Sequence, residues 1–364
     1  MTPSYFMGRS SMRMPVPPSL IAFSAHGLGN LYGVRIQSAF PSPPADWKNA
    51  TSLRKLTLSD IDDEIRTSFR NNRITSLQFY GDDDDYDVFK LFPHLQHLDI
   101  TLPAPRMARR MTFQPSELRS TILKSLTVRI ASWDLRWTSP VLSSLHLPSL
   151  VSLELLIKRG LDDIDIDIDK DSLMPSLETM FRQSSPPLQS FKIDSDHSLT
   201  SVQLLDILSW MPLLTDLSIH VISTVLHEGF LARLTYIPGS KSLPTYPTYT
   251  PEKITSCVLL PRLKSLEIGI DFETNIEVFL PDVDSIIAMV ASRIAHSSSA
   301  DNNHDDSLVD KLSHLTVLIP YFRYQSERVW AEGFRTTLKK HLQKHMGQGF
   351  TCTVILGETS SGSS

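Results

Sequence analysis

Apolar residues recur along this chain in a fixed phrase, L-x-x-L-x-[LIVF], while the residues between them change freely. Four copies are plain: "FPHLQHLDIT" (92–101), "LPSLVSLELL" (147–156), "MPLLTDLSIH" (211–220) and "LPRLKSLEIG" (260–269). With these as template, weaker copies emerge. The set begins at Leu31, Leu53, Ile74, Leu95, Leu123, Leu150, Leu188, Leu214, Leu263 and Leu312. The last two apolar positions of each phrase are two residues apart and so point to one face of a short strand. The first, three residues earlier, covers the strand's entry. Between phrases the spacing turns helical. "SVQLLDILSW" sets Val202, Leu205, Leu208 and Trp210 along one side, and "VDSIIAMVASRIA" behaves alike. Each unit therefore predicts strand, turn, helix, turn.

The steps between phrases run 22, 21, 21, 28, 27, 38, 26, 49 and 49 residues. Most lie in or near the leucine-rich-repeat range, and the longer ones must carry insertions. One unit buries too few apolar side chains to offset the entropy of ordering its backbone, so units fold only by stacking. The expected fold is α/β: an irregular leucine-rich-repeat solenoid, parallel strands on the concave face and helices on the convex one. Residues 28–356 form the array, with a C-terminal capping helix and strand. Residues 1–27 are expected to be disordered or an N-terminal cap, and 357–364 a disordered tail. The Asn or Cys that usually follows the last leucine by three residues is absent. Ala39, Ile61, Asp82, Pro103, Ala131, Lys158, Asp196, Ile222, Asp271 and Pro320 stand there instead, which predicts uneven curvature.

The stretch "PSPPADWKNATSLRKLTLSDI" (41–61), these irregular repeats, and "ERVWAEGFRTTLKKHLQ" followed by "FTCTVIL" resemble the fungal F-box/leucine-rich-repeat-like proteins. The resemblance covers the repeat region only. It implies a substrate-recognition subunit of a cullin-type ubiquitin ligase, with the repeats presenting substrates and a preceding F-box binding the ligase's small adaptor. Only about 30 residues precede the first phrase, and they carry no Cys-x-x-Trp segment of the F-box type. The adaptor is therefore expected as a partner only if an F-box lies upstream.

Composition sharpens the function classes. A net charge of −5 and a pI near 6.2 offer no basic footprint for nucleic acid. Cys257 and Cys352 are too few for a disulfide framework and suit a reducing compartment, cytoplasmic or nuclear. No run approaches the length of a membrane helix, so no membrane partner is expected. Residues alternating with the core leucines point out of the inner face, where they can vary to suit a protein ligand. The candidates for partner binding are Arg35, Gln78, Tyr80, His97, Asp99, Arg129, Glu154, Lys192, His220 and Glu267, accompanied by Lys55, Thr57, Thr127, Asp194, Asp216, His314 and Thr316.

Other stretches tempt different readings. Asp167, Asp169, Asp171 and Glu178 match positions of a calcium loop, but Ser172 stands where glycine is required, so a solvated acidic loop is expected. "GDDDDYD" (81–87) reads as a loop after the third strand. "HGLGNLYG" (26–33) is in repeat phase and not a dinucleotide loop. "KSLPTYPTYTP" (241–251) has the spacing of a Pro-rich docking peptide inside a long insertion. The closing helix, with Trp330, Phe334, Leu338 and Leu342 at every fourth residue, reads as a cap over the last repeat. G-x-S-x-G, H-E-x-x-H, P-loop and C-x-x-C motifs are all missing. No catalytic residue, metal or cofactor is expected, and the reading is a non-enzymatic protein-interaction module. The alternatives are an adaptor-independent recognition scaffold and, from another class, a hydrolase with a triad assembled across repeats.

Overall fold

The computed structural model describes residues 33–36, 53–58, 73–80, 88–102, 118–130, 135–157, 173–195, 199–222, 228–235, 241–242, 257–271, 283–295, 309–319, 325–346 and 349–357. The strands are β1 (Gly33–Ile36), β2 (Lys55–Leu58), β3 (Ser76–Tyr80), β4 (His97–Leu102), β5 (Leu118–Arg119), β6 (Ser125–Ile130), β7 (Leu145–His146) and β8 (Ser152–Ile157). They continue with β9 (Ser190–Ser195), β10 (Asp216–Ile222), β11 (Lys241–Ser242), β12 (Cys257–Val258), β13 (Ser265–Asp271), β14 (His314–Ile319) and β15 (Thr351–Leu356). Described helices are α1 (Val88–Leu91), α2 (Leu135–Ser144), α3 (Leu173–Ser184), α4 (Ser201–Ser209), α5 (Glu228–Leu234), α6 (Val283–Ala295) and α7 (Gln325–Leu342).

The chain is mixed α/β, built on one 11-stranded sheet in the order β1-β2-β3-β4-β6-β8-β9-β10-β13-β14-β15. Every neighbouring pair in it is parallel, and the order follows the chain. β5 with β7 and β11 with β12 form two separate two-stranded parallel pairs. Parallel neighbours cannot be joined by a tight hairpin, so a crossover lies between consecutive strands. Strand burial alternates as the phrase demands: β4, β6, β9 and β14 bury every second side chain.

The leading apolar residues Leu53, Ile74, Leu95, Leu123, Leu150, Leu188, Leu214, Leu263 and Leu312 are all at most 1% exposed. Leu31 lies outside the described residues. The proline of the four plain copies has a direct cause. In "FPHL", "LPSL", "MPLL" and "LPRL" the first residue's carbonyl accepts from the leucine's N–H: Leu95 to Phe92 (3.0 Å), Leu150 to Leu147 (3.2 Å), Leu214 to Met211 (3.1 Å) and Leu263 to Leu260 (3.2 Å). Proline is thus second in a β-turn, where its fixed φ is already right.

A second repeated device ties neighbouring strands at their entry. Carbonyls of Arg54, Thr75, Gln96, Lys124, Val151, Gln189, Thr215 and Lys264 each accept two N–H groups from the next strand's first residues, as in Thr215 and Asp216 to Gln189 (2.8 and 2.9 Å). Hydroxyls join the same acceptors: Thr215 Oγ1 to Gln189 (3.0 Å) and Ser313 Oγ to Lys264 (3.0 Å). This ladder satisfies backbone polar groups that would otherwise be orphaned at the strand entries.

α4 forms where its periodicity predicts it, with Thr200 and Gln203 making a capping box. Its buried face needs correction. Leu204, Ile207 and Leu208 point inward, whereas Val202 is 64% exposed and Leu205 and Trp210 are only partly buried. The helix starts at Ser201, so Val202 lies in its exposed first turn. α7 buries Phe334, Leu338 and Leu342, with Trp330 packed partly against the core. "FTCTVIL" supplies β15, which extends the main sheet as its last strand and places Cys352 and Val354 in the leucine rows. α6 buries Arg293 to 1% exposure beside Ile286, Met289, Val290 and Ile294. Residues 1–27 and 358–364, the run 81–87, Asp167, Asp169 and Asp171, and residues 243–251 lie outside the described residues. Glu178, on α3, pairs with Arg182 one turn on.

Candidate functional site

Side chains that alternate with the core leucines form the opposite, polar face of the sheet. Because every strand is parallel and in register, they line up in rows across it. One row runs Thr57, Gln78, Asp99, Thr127, Glu154, Lys192, Ser218, Glu267, Thr316 and Thr353. Towards the strand ends lies Tyr80, Thr101, Arg129, Leu156, Asp194, His220, Gly269, Leu318 and Ile355. At the strand entries stand Lys55, Ser76, His97, Ser125, Ser152, Ser190, Asp216, Ser265, His314 and Thr351. The sequence-predicted residues described on β3 to β13 therefore share one face. Arg35 lies on β1 and Tyr80 at the end of β3; their side chains are outside the description.

Within the rows, charges pair across strands. Arg129 on β6 clamps Asp99 on β4 with two bonds, Nε to Oδ1 at 2.9 Å and Nη2 to Oδ2 at 3.0 Å. Such a bidentate pair is fixed in orientation as well as charge. Gln78 Nε2 adds a long contact to the same carboxylate (3.4 Å). Glu154 on β8 takes Lys192 Nζ at 3.0 Å and the Thr127 hydroxyl at 3.2 Å. Arg129 and Lys192 keep 42% and 38% of their side-chain surface exposed, so both pairs remain reachable from solvent.

A third cluster joins β10 to β13. Ser218 Oγ donates to Glu267 Oε1 (2.8 Å), and His220 Nε2 lies 2.8 Å from that same oxygen. Burial pushes the Glu267 carboxyl up, but hydrogen bonds from Ser218 and His220, with the charges of His220 and Lys192, outweigh it and hold the group below its ordinary value. The glycine of "LPRLKSLEIG" belongs to this cluster. A Cβ on Gly269 would come within 2.7 Å of the His220 ring, so the imidazole lies across the neighbouring strand where only hydrogen fits.

Serine, histidine and carboxylate together invite comparison with a hydrolytic triad. In a triad the serine and the acid address opposite ring nitrogens, so that one nitrogen takes the serine proton while the other is held by the acid. Here Glu267 sits on Nε2 at 2.8 Å, and the Ser218 hydroxyl, 3.4 Å from that nitrogen, gives its proton to Glu267. The arrangement orients a carboxylate and does not form that relay. Ser218 and Gly269 escape a sequence reading, although both alternate in phase with His220 and Glu267.

At the other end of the face a groove of about 250 Å³ runs over β2, β3, β4 and β6, walled by Lys55, Thr57, Gln78, His97, Asp99 and Thr127. Among the described residues no cluster of His, Cys, Asp and Glu is arranged to hold a metal ion. None of the described helices is long and apolar enough to cross a membrane. No family model and no curated protein matches the chain.

Proposed function

We propose that this chain is a non-enzymatic protein-recognition module: a leucine-rich-repeat-like solenoid whose polar sheet face is its concave, partner-binding surface. The observation that carries this reading is the unbroken polar row from Thr57 to Thr353, crossing ten strands in register. Strand order that follows the chain, one entry turn used four times and one shared-carbonyl ladder support the solenoid. The core leucines and the row residues occupy opposite faces, so the row can be tailored to a ligand without disturbing the stack. Paired but solvent-reachable charges fit recognition of a protein, because such pairs give register and specificity more than raw affinity. The sequence resemblance supports a substrate-recognition role in a cullin-type ubiquitin ligase.

Affinity purification of the tagged chain from its native cells, with chemical crosslinking before lysis, tests the reading. The expected result is a protein in near-equal amount, crosslinked to Lys192 or to lysines bordering the polar face. Recovery of the ligase adaptor with it supports the degradation role, and a different stable partner without adaptor leaves a recognition scaffold alone. Recovery of no stoichiometric partner contradicts the proposal.

A further inference from the structure

The main sheet has two edges, and they differ. β1 is four residues long and carries Arg35, whereas β15 reads "TCTVIL", six residues with no charge and no proline. A free strand edge is a template for further pairing, and chains blunt it with short strands, charge or proline. Thr, Val and Ile instead favour pairing. The phase of the ladder shows which groups of β15 are free. Thr351 N–H donates to Ser313 O and Gly357 N–H to Ile319 O, both at 2.8 Å. Successive residues alternate, so the N–H and C=O of Cys352, Val354 and Leu356 point away from β14. Among the described residues no strand lies on that side. Apolar exposure gathers at the same end of the molecule. Of the five large apolar side chains exposed among the described residues, Val329 (65%) lies on α7, Met346 (42%) between α7 and β15, and Ile355 (50%) on β15.

We infer that β15 pairs edge to edge with β15 of a second copy of this chain, antiparallel about a two-fold axis through Val354. The register follows from the free groups. An antiparallel ladder sets outward-pointing residues opposite one another, and centring it on Val354 places Val354 against its copy and Cys352 against Leu356. Every outward N–H and C=O from Cys352 to Leu356 then has a partner, so the edge is complementary to itself, as a closed dimer requires. On the polar face the same register puts Ile355 opposite the copy's Thr353, covering exposed apolar surface with a cross-strand pair of β-branched residues. Antiparallel strands also set the two α7 helices antiparallel. That keeps their basic last turns, with Lys339, Lys340 and His341, at opposite ends of the contact. Pairing joins the two polar faces into one surface and is independent of what that surface recognises.

Sedimentation velocity of the full chain at micromolar concentration tests the inference. A mass twice the 41.0 kDa of one chain is expected. Thr353→Lys combined with Ile355→Lys, both at exposed positions, sets like charges opposite one another and is expected to raise the dissociation constant of the dimer about tenfold or more. Thr353→Glu combined with Ile355→Glu should do the same, and mixing the lysine and glutamate variants should restore the dimer. Val202→Lys, at a comparably exposed apolar position on α4, is expected to leave association unchanged. Unfolding curves establish that each variant remains folded. A monomeric chain overturns the inference, as does a dimer that the lysine variant leaves intact, or mixed variants that fail to associate. So does a chain that dimerises only once residues 358–364 are deleted, because its own tail would then occupy the edge. A monomer whose lysine variant loses a co-purified protein overturns it too, and gives the edge to a strand of that protein.

Discussion

From Leu95 to Leu150 the phrases follow one another in steps of 28 and 27 residues, whereas from Leu214 to Leu312 each step takes 49. Both regions nevertheless stack strands in the same way. Leu150 and Leu263 close the same entry turn, and the carbonyls of Lys124 and Thr215 each accept two N–H groups from the following strand. The difference lies in how the extra chain is tied down. In the long-step region Arg293 of α6 donates Nε to Leu234 O (2.7 Å), Nη1 to Leu260 O (3.0 Å) and Nη2 to Leu259 O (2.7 Å). Leu234 ends α5, whose last carbonyls have no partner within the helix. Leu260 has a φ of +55°, unusual for a bulky residue, so its backbone must be held in place. Burial pushes the Arg293 guanidinium down to about 10, so it stays charged at neutral pH. Among the described residues the short steps from Leu95 to Leu150 hold no buried charged side chain, whereas the long ones set a buried cation against three carbonyls.

Replacing that cation should break the comparison most sharply. Arg293→Met removes three hydrogen bonds, stripping the Leu234 and Leu259 carbonyls of their arginine partner while the Leu260 carbonyl keeps the Leu263 N–H, and is expected to cost about 3–5 kcal/mol in urea unfolding. A loss near zero would mean that the insertion is anchored elsewhere. Leu150→Ala and Leu263→Ala come next, each expected to cost about 3 kcal/mol through the cavity left behind. Similar values for the two would show that short and long steps stack alike, and a much smaller loss at Leu263 would separate them.

On the polar face the effects are smaller. Gly269→Val should drive the His220 ring off Glu267, costing about 1–2 kcal/mol and moving the His220 ring resonances seen by NMR. The smallest effect concerns acid. Glu267 is held below its ordinary value of 4.5, so its share of stability is present above that pH and is lost as pH falls through the lowered value. Between about pH 6 and about pH 3 the native chain should lose more stability than Glu267→Gln. Parallel pH curves for the two would show that the cluster contributes nothing to folding.

The leading leucines were legible because burial at a strand entry requires an apolar residue at a fixed offset, and Leu53 to Leu312 all satisfy it. So were the polar rows, since period two assigns a face without any knowledge of neighbours. Pairing was not legible. Asp99 meets Arg129 30 residues on, and Ser218 meets Glu267 49 residues on, and these separations follow from register across unequal insertions. Arg293 was hidden for another reason. An arginine near a helix end looks like a solvated dipole partner, and only the carbonyls converging from Leu234, Leu259 and Leu260 reveal its role. The inward face of α4 was misjudged because "SVQLLDILSW" is apolar over more than one side, so periodicity alone could not choose between Val202 and Leu204. Its one weak signal was the Thr200–Gln203 box, which starts the helix and leaves Val202 in the first turn.

The central claim is that the polar face recognises a protein while the opposite face holds the fold. Its most direct test is the double reversal Arg129→Glu and Lys192→Glu, read by thermal unfolding and by recovery of the partner from native cells. The account predicts an unfolding midpoint lowered by only a few degrees, about what two half-exposed ion pairs contribute, together with loss of the partner. Undiminished recovery of the partner by a folded double variant would contradict it.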